Sequence, residues 1–146
     1  MTTAHLGAAS FAVCLALPGS VGSAETRTIE TMNIRVTFGT TVLHATLDDT
    51  AAARDFATLL PLELQLSDYH GVEKVANLPR ALALGDTPRR SPAMPGDIMH
   101  YAPWGNLAIF YGTAVATPGL VRLGRFTDLI DPLVAASDAR IRIEAE

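Results

Sequence analysis

The sequence is poor in the residues that mark several common classes of site. It contains one cysteine, Cys14, and one lysine, Lys74, among 146 residues. A single cysteine excludes an internal disulfide and a zinc site built from several thiolates. The formal net charge is −4, and the scattered arginines form no basic stripe that would neutralise a phosphate backbone. We therefore expect no nucleic-acid partner.

Charged residues are missing from the beginning of the chain. Residues 1–24 contain no Asp, Glu, Lys or Arg, and residues 6–17 form an apolar run that is followed by Pro18, Gly19 and small residues. Such a run is too short to span a bilayer and is typical of a secretory signal. We expect a signal peptide over 1–24, a linker over 25–31, and an exported or periplasmic mature chain without a stable membrane span. Translation starting at Met32 would instead leave a cytoplasmic domain, and this alternative stays open.

In the remainder of the chain, apolar and polar residues alternate in short runs that are typical of β-strands. Hydrophobic residues make up 49% of the sequence and charged residues 18%, a balance that favours one packed domain. Thr50 is a good N-cap for a helix that Pro61 ends, and Thr127 is the expected cap of a second helix. Period-2 alternation predicts eight strands around these helices. These strands cover residues 33–38, 42–47, 62–66, 73–78, 98–101, 107–111, 120–126 and 139–144.

Several segments of residues 32–146 resemble a group of small bacterial cyclophilin-like proteins. They are residues 53–61, Gly96-Asp97-Ile98, the block Pro103-Trp104-Gly105-Asn106 with Ile109-Phe110-Tyr111-Gly112, and Leu123-Gly124-Arg125. The resemblance implies a mainly β fold, namely a closed eight-stranded cyclophilin-like β-barrel with two helices. Members of this group share an architecture, and the resemblance implies little chemistry. Closure of eight strands would remove exposed edges, with the helices at the barrel ends.

Prolyl isomerase activity is the reaction that true cyclophilins suggest, and its signature residues are missing. The third predicted strand, residues 62–66, has no arginine, and the chain has no Phe-x-x-Gln pair. Without a guanidinium near the proline amide, the electrostatic aid to twisting that bond is absent. Arg80 is the arginine that could approach from the long loop at residues 79–96. A divergent isomerase therefore remains the alternative to a binding domain.

The most unusual cluster of residues is the aromatic block near Trp104. We predict that a small molecule or an extended peptide binds at the barrel mouth there, beside the long loop. The expected contacts are Tyr101, Trp104, Asn106, Tyr111, His100 and Arg80. In a competing interpretation, Trp104 covers one barrel end and Asn106 closes a tight turn. A third possibility is a module whose Trp104 surface contacts another protein.

The sequence identifies no catalytic residue, no metal site and no cofactor. His44, His70 and His100 lie on different predicted elements, so their spacing gives no ligand pattern. Glu63, Glu73 and Asp97 could supply a carboxylate pair for acid–base chemistry, although Asp97 follows Gly96 at a strand start, where such a side chain commonly binds the backbone amides of a turn. Gly124 predicts either a bend in the barrel or the close approach of a ligand. The oligomeric state is likewise open.

Overall fold

The computed structural model describes residues 30–146, together with Thr3. The predicted signal peptide and most of the linker lie outside these residues. The strands are β1 (Met32–Phe38), β2 (Thr41–Leu47), β3 (Leu62–Gln65), β4 (Ser67–Tyr69), β5 (Glu73–Asn77), β6 (Arg90–Ala93), β7 (Asp97–Tyr101), β8 (Asn106–Phe110), β9 (Ala114–Pro118), β10 (Leu120–Phe126) and β11 (Arg140–Ala145). The helices are α1 (Ala51–Ala57) and α2 (Asp131–Ala135).

Nine strands form one sheet in the order β3-β11-β1-β2-β10-β7-β8-β5-β4. The two outermost strands, β3 and β4, are consecutive in the chain and flank Leu66. Because β3 pairs with β11 and β4 pairs with β5, this bent segment brings the two edges together into a nearly closed barrel. If β3 and β4 are counted as one bent strand, the sheet has eight strands. The prediction of a mainly β barrel with two helices is confirmed.

The barrel interior is filled by alternate side chains of the strands. In β1, Ile34 and Val36 are buried while Asn33 and Arg35 are exposed, and Ile141 and Ile143 of β11 repeat this pattern. A strand that buries every second residue has one face on the core and one on the solvent. Both helices contribute a large buried side chain to the same core, Phe56 from α1 and Leu133 from α2. The Oγ1 atom of Thr50 caps α1 by accepting from the Ala53 amide at 3.2 Å, as the sequence predicts.

The predicted cap of the second helix is wrong. Helix α2 begins at Asp131 without a side-chain cap. The Thr127 hydroxyl instead donates to the His44 carbonyl at 3.1 Å, and Asp128 accepts from the His44 amide at 2.8 Å. These bonds attach the residues before α2 to strand β2, so the helix starts later than its local sequence indicates.

A second, smaller layer lies against the outside of the barrel wall. Strands β6 and β9 form a two-stranded sheet in regions where the sequence predicts irregular loops. This sheet packs toward the outward face of β7, β8 and β10, where Ala93, Met99, Ala108, Phe110 and Leu120 form an apolar cluster. The barrel wall is therefore buried on both faces at this place, which explains why all five residues of β8 are buried. Neither helix in the described part of the chain has the length and apolar character needed to cross a membrane.

Candidate ligand-binding groove

A groove of about 350 Å³ opens on the outer face of the barrel wall, beside the small apolar cluster. Its walls come from the β4–β5 and β7–β8 hairpins, β9 and the start of β10. Outward-facing Tyr101 and Phe110 form part of it, while Ile98 and Leu107 on the same strands point into the barrel core. The groove thus lies on the wall, and not at the barrel mouth where the sequence analysis placed the ligand.

The β7–β8 hairpin positions Trp104 at the edge of the groove. The amides of Trp104 and Gly105 both donate to the Tyr101 carbonyl, at 3.2 and 3.0 Å, and Gly105 has a φ of +64° that favours glycine. The loop is also attached to the turn before β10, because the Ala102 amide donates to the Gly119 carbonyl at 2.9 Å. A Cβ atom at Gly119 would lie 2.7 Å from the Pro103 ring. The loop that carries Trp104 is therefore held at both its base and its side.

The β4–β5 hairpin brings Tyr69 to the same groove. His70 and Gly71 have φ values of +54° and +66°, and the Val72 amide donates to the Tyr69 carbonyl at 3.2 Å. Two successive residues with positive φ are the mark of a type I′ turn, which matches the twist of a β-hairpin. The Asp68 carboxylate supports the turn by accepting from the Gly71 amide at 3.0 Å.

Three aromatic rings form the open side of the groove. The ring centroid of Trp104 lies 5.7 Å from that of Tyr69 and 5.4 Å from that of Tyr101, with ring planes at 84° and 81°. These are favourable edge-to-face contacts. Trp104 nevertheless keeps 59% of its surface exposed, so a large apolar side chain is held in place without being covered. Trp104 thus contacts rings on the outer wall, which disagrees with the interpretation in which it covers a barrel end.

Glu73 is a carboxylate among these apolar walls. It lies at the start of β5, in register with Phe110 on β8, and its side chain is partly buried. Burial raises the pKa of Glu73, and the nearby charge of His70 lowers it to a smaller extent. The groove therefore combines aromatic surface with a carboxylate that is incompletely solvated.

Two of the predicted contacts, His100 and Asn106, are buried. His100 is 1% exposed and points into the barrel, where its Nδ1 donates to the Asn106 carbonyl at 2.9 Å. Burial lowers the pKa of His100, which favours the neutral imidazole. Asn106 lies in register with Tyr101 and is 5% exposed; its Oδ1 has no hydrogen-bond partner among the described residues. Neither side chain lines the groove.

The other two predicted contacts, Tyr111 and Arg80, lie elsewhere. The Tyr111 hydroxyl donates to Asp68, and this bond raises the pKa of Tyr111 to about 12. Arg80 forms a two-pronged ion pair with Asp55 of α1, at 2.6 and 3.0 Å, and also donates to Thr58. Of the six predicted contacts, the structure brings only Tyr101 and Trp104 together in the groove.

Sequence reasoning missed Tyr69 and placed Glu73 among unassigned carboxylates. Tyr69 belongs to a short polar segment that is typical of a turn, and the local pattern does not show which surface it faces. An aromatic residue next to a His-Gly turn was the available signal, because a type I′ turn fixes the direction of its flanking side chains.

Two of the hollows in the described part of the chain that exceed the groove in volume are less suited to an organic ligand. One of about 490 Å³ beside α1 is lined by Asp49 and Arg54, which pair with each other, and by further polar side chains. The other, about 480 Å³, contains Arg125, whose guanidinium pairs with buried Asp97 at 2.9 Å and donates to the Pro95 carbonyl. Both arginines are therefore already paired within the fold.

Comparisons with known proteins agree with the architecture. The model of the Cyclophilin-like family matches residues 36–144. The solution structure of the hypothetical protein AF2241 from Archaeoglobus fulgidus is similar, with a TM-score of 0.63 and 15% sequence identity. That similarity covers 83% of this chain and 99% of the archaeal one, and at this identity it bears on the fold alone. No curated protein matches the sequence. The match over most of the barrel shows that the chain belongs to the Cyclophilin-like family.

Proposed function

We propose that the chain is a binding domain that takes a small molecule or an extended peptide in the groove at Tyr69, Tyr101 and Trp104. The exposed position of Trp104, held by two edge-to-face contacts, is the observation that carries this proposal. Exposure of such an aromatic surface to water is unfavourable. A ligand that covers it therefore binds with a favourable free energy. Concave aromatic surfaces are also the usual receptors of extended peptides.

The proposed binding domain does not isomerise prolyl bonds. The residues that line the groove include no arginine, which leaves no guanidinium to polarise a proline amide. Arg80 is held on α1 by Asp55 and Thr58, so its use at the groove would require breaking both contacts. These two observations support binding without catalysis.

Trp104 is the only tryptophan in the chain and so reports directly on the groove. We expect its fluorescence to change in a saturable way with at least one member of a panel of metabolites and short peptides, and the melting temperature to rise with the same compound. Tyr101→Ala should abolish both responses. The control is Leu129→Ala, which removes an exposed apolar side chain that is 82% accessible and does not line the groove.

Three outcomes would count against the proposal. A panel without any response, or a response that Tyr101→Ala leaves intact, would remove the groove as the binding site. Acceleration of prolyl isomerisation in an X-Pro peptide assay would support the divergent enzyme. A molar mass that rises with protein concentration, and falls back in Trp104→Ala, would support the protein-interaction module.

A further inference from the structure

Glu73 faces the groove without an arginine or a lysine from the described part of the chain paired with it. The influences on its carboxylate are burial and the neighbouring His70, and no arginine or lysine among the described residues pairs with it. Most other carboxylates of the barrel have such a partner, as Glu63 has with Arg140 at 3.0 Å and Asp97 with Arg125 at 2.9 Å. A carboxylate that is partly removed from water and has no ion pair with an arginine or lysine is costly to the fold. A cationic group entering the groove would offset that cost.

The aromatic rings around the groove favour the same class of ligand. The planes of Tyr69 and Tyr101 are each nearly perpendicular to that of Trp104. All three rings line the groove, and the negative face of an aromatic ring attracts a cation within about 6 Å of its centre. An ammonium or guanidinium group on an apolar stem can contact the ring faces and form an ion pair with the carboxylate.

The strand next to the groove indicates that the cation belongs to an extended peptide. Strand β9 pairs with β6 and with no other strand in residues 30–146, so its second edge is unpaired. Ala114 and Thr117 of this strand line the groove, while Val115 between them is 83% exposed. An unpaired edge offers backbone donors and acceptors to an added strand.

We propose that the groove binds the lysine or arginine side chain of an extended peptide, with the cationic group between Glu73 and the rings of Tyr69, Tyr101 and Trp104. This inference rests on the proposed binding function of the groove and specifies its occupant.

The test compares five-residue peptides that differ only at the central position, which is arginine, lysine, citrulline or norleucine. Citrulline has nearly the shape of arginine without its charge. We expect quenching of Trp104 fluorescence to show about tenfold tighter binding of the arginine and lysine peptides, the size typical of a partly desolvated cation–π contact. Glu73→Gln should reduce this preference, because it removes the carboxylate and leaves the rings in place. Glu30→Gln, the same change at an exposed carboxylate outside the groove, should keep it.

Each result separates the two proposals. Equal binding of all four peptides would keep the binding groove and overturn the choice of a cationic side chain. No binding of any peptide, together with an unresponsive metabolite panel, would overturn both. Tetramethylammonium alone, bound as tightly as the arginine peptide, would overturn the peptide as the occupant. A preference for the cationic peptides that is as large in Glu73→Gln as in the unchanged protein would overturn the role of that carboxylate.

Discussion

Gly124→Ala should strongly destabilise the barrel because the backbone of β2 occupies the space of the added methyl group. A Cβ atom at this position would lie 2.1 Å from the Thr46 carbonyl oxygen and 2.9 Å from the Cα atom of Leu47. Gly124 pairs with both β2 and β7, and the β10–β7 register shifts between Arg122 and Gly124. The structural interpretation of this glycine therefore applies, since the group that approaches it is a strand and not a ligand.

The size of the effect follows from what has to move. Neither contact is with a flexible side chain, so β2 and β10 must separate by about 1.4 Å to bring the shorter contact to an ordinary distance of about 3.5 Å. Overpacking of a core costs about 1–3 kcal/mol, and lengthening the neighbouring strand hydrogen bonds adds about 1 kcal/mol. We expect a loss of about 3 kcal/mol in the free energy of unfolding, which lowers the melting temperature by about 12 °C in a domain of this size.

Urea denaturation, followed by circular dichroism and by Trp104 fluorescence, measures this loss. Gly39→Ala is the matched control because a Cβ atom at Gly39 would have nothing within 4 Å, although the φ of +55° there strains any other residue. That strain costs about 1–2 kcal/mol. If Gly124→Ala destabilises the protein no more than Gly39→Ala does, then the backbone of β2 does not pack closely against Gly124 of β10.

Two further predictions concern the groove and the chain start. Because burial raises the pKa of Glu73, the folded state prefers the protonated form, and Glu73 weakens the fold as pH rises above its ordinary pKa. Glu73→Gln should therefore raise the melting temperature at pH 7, and this gain should vanish as pH falls below about 4. A gain that stays constant across pH would refute burial of the ionised carboxylate as its cause. We also propose export of the mature chain, so the protein purified from its native host should begin at Glu25; a start at Met32 would contradict it.

Much of the barrel can be predicted from the sequence because strand alternation is a local signal. Ile34 and Val36 alternate with polar residues, and Ile141 and Ile143 do the same at the other end of the chain. Closure of the ring depends on Leu66, whose amide donates to the Ala139 carbonyl at 2.8 Å. That bond joins residues far apart in sequence, so no local pattern reveals that one strand bends there and pairs on both sides.

The elements that were missed have weak or ambiguous local signals. Strands β6 and β9 contain Pro92 and Pro118, which argue against a strand except at a sheet edge, where these two strands do lie. Lys74, the single lysine, is 4% exposed and donates to the Ala136 carbonyl at 2.8 Å. Its charge predicts a solvent position, whereas the fold supplies two partners that allow burial, the Ala136 carbonyl and the Asp68 carboxylate at 3.8 Å.

The two faces of the same strands explain why the groove lies outside the barrel. Strands β7 and β8 direct Ile98 and Leu107 into the barrel core, where they pack among buried side chains of the other strands. The alternate positions carry Tyr101 and Phe110 to the outer face, where β6 and β9 cover only part of the surface. Because successive side chains of a strand point to opposite faces, one set of residues stabilises the barrel and the next set is available for binding. The position of the aromatic block was predictable, but the face it occupies depends on register with Glu73 and Leu120, which only the folded sheet defines.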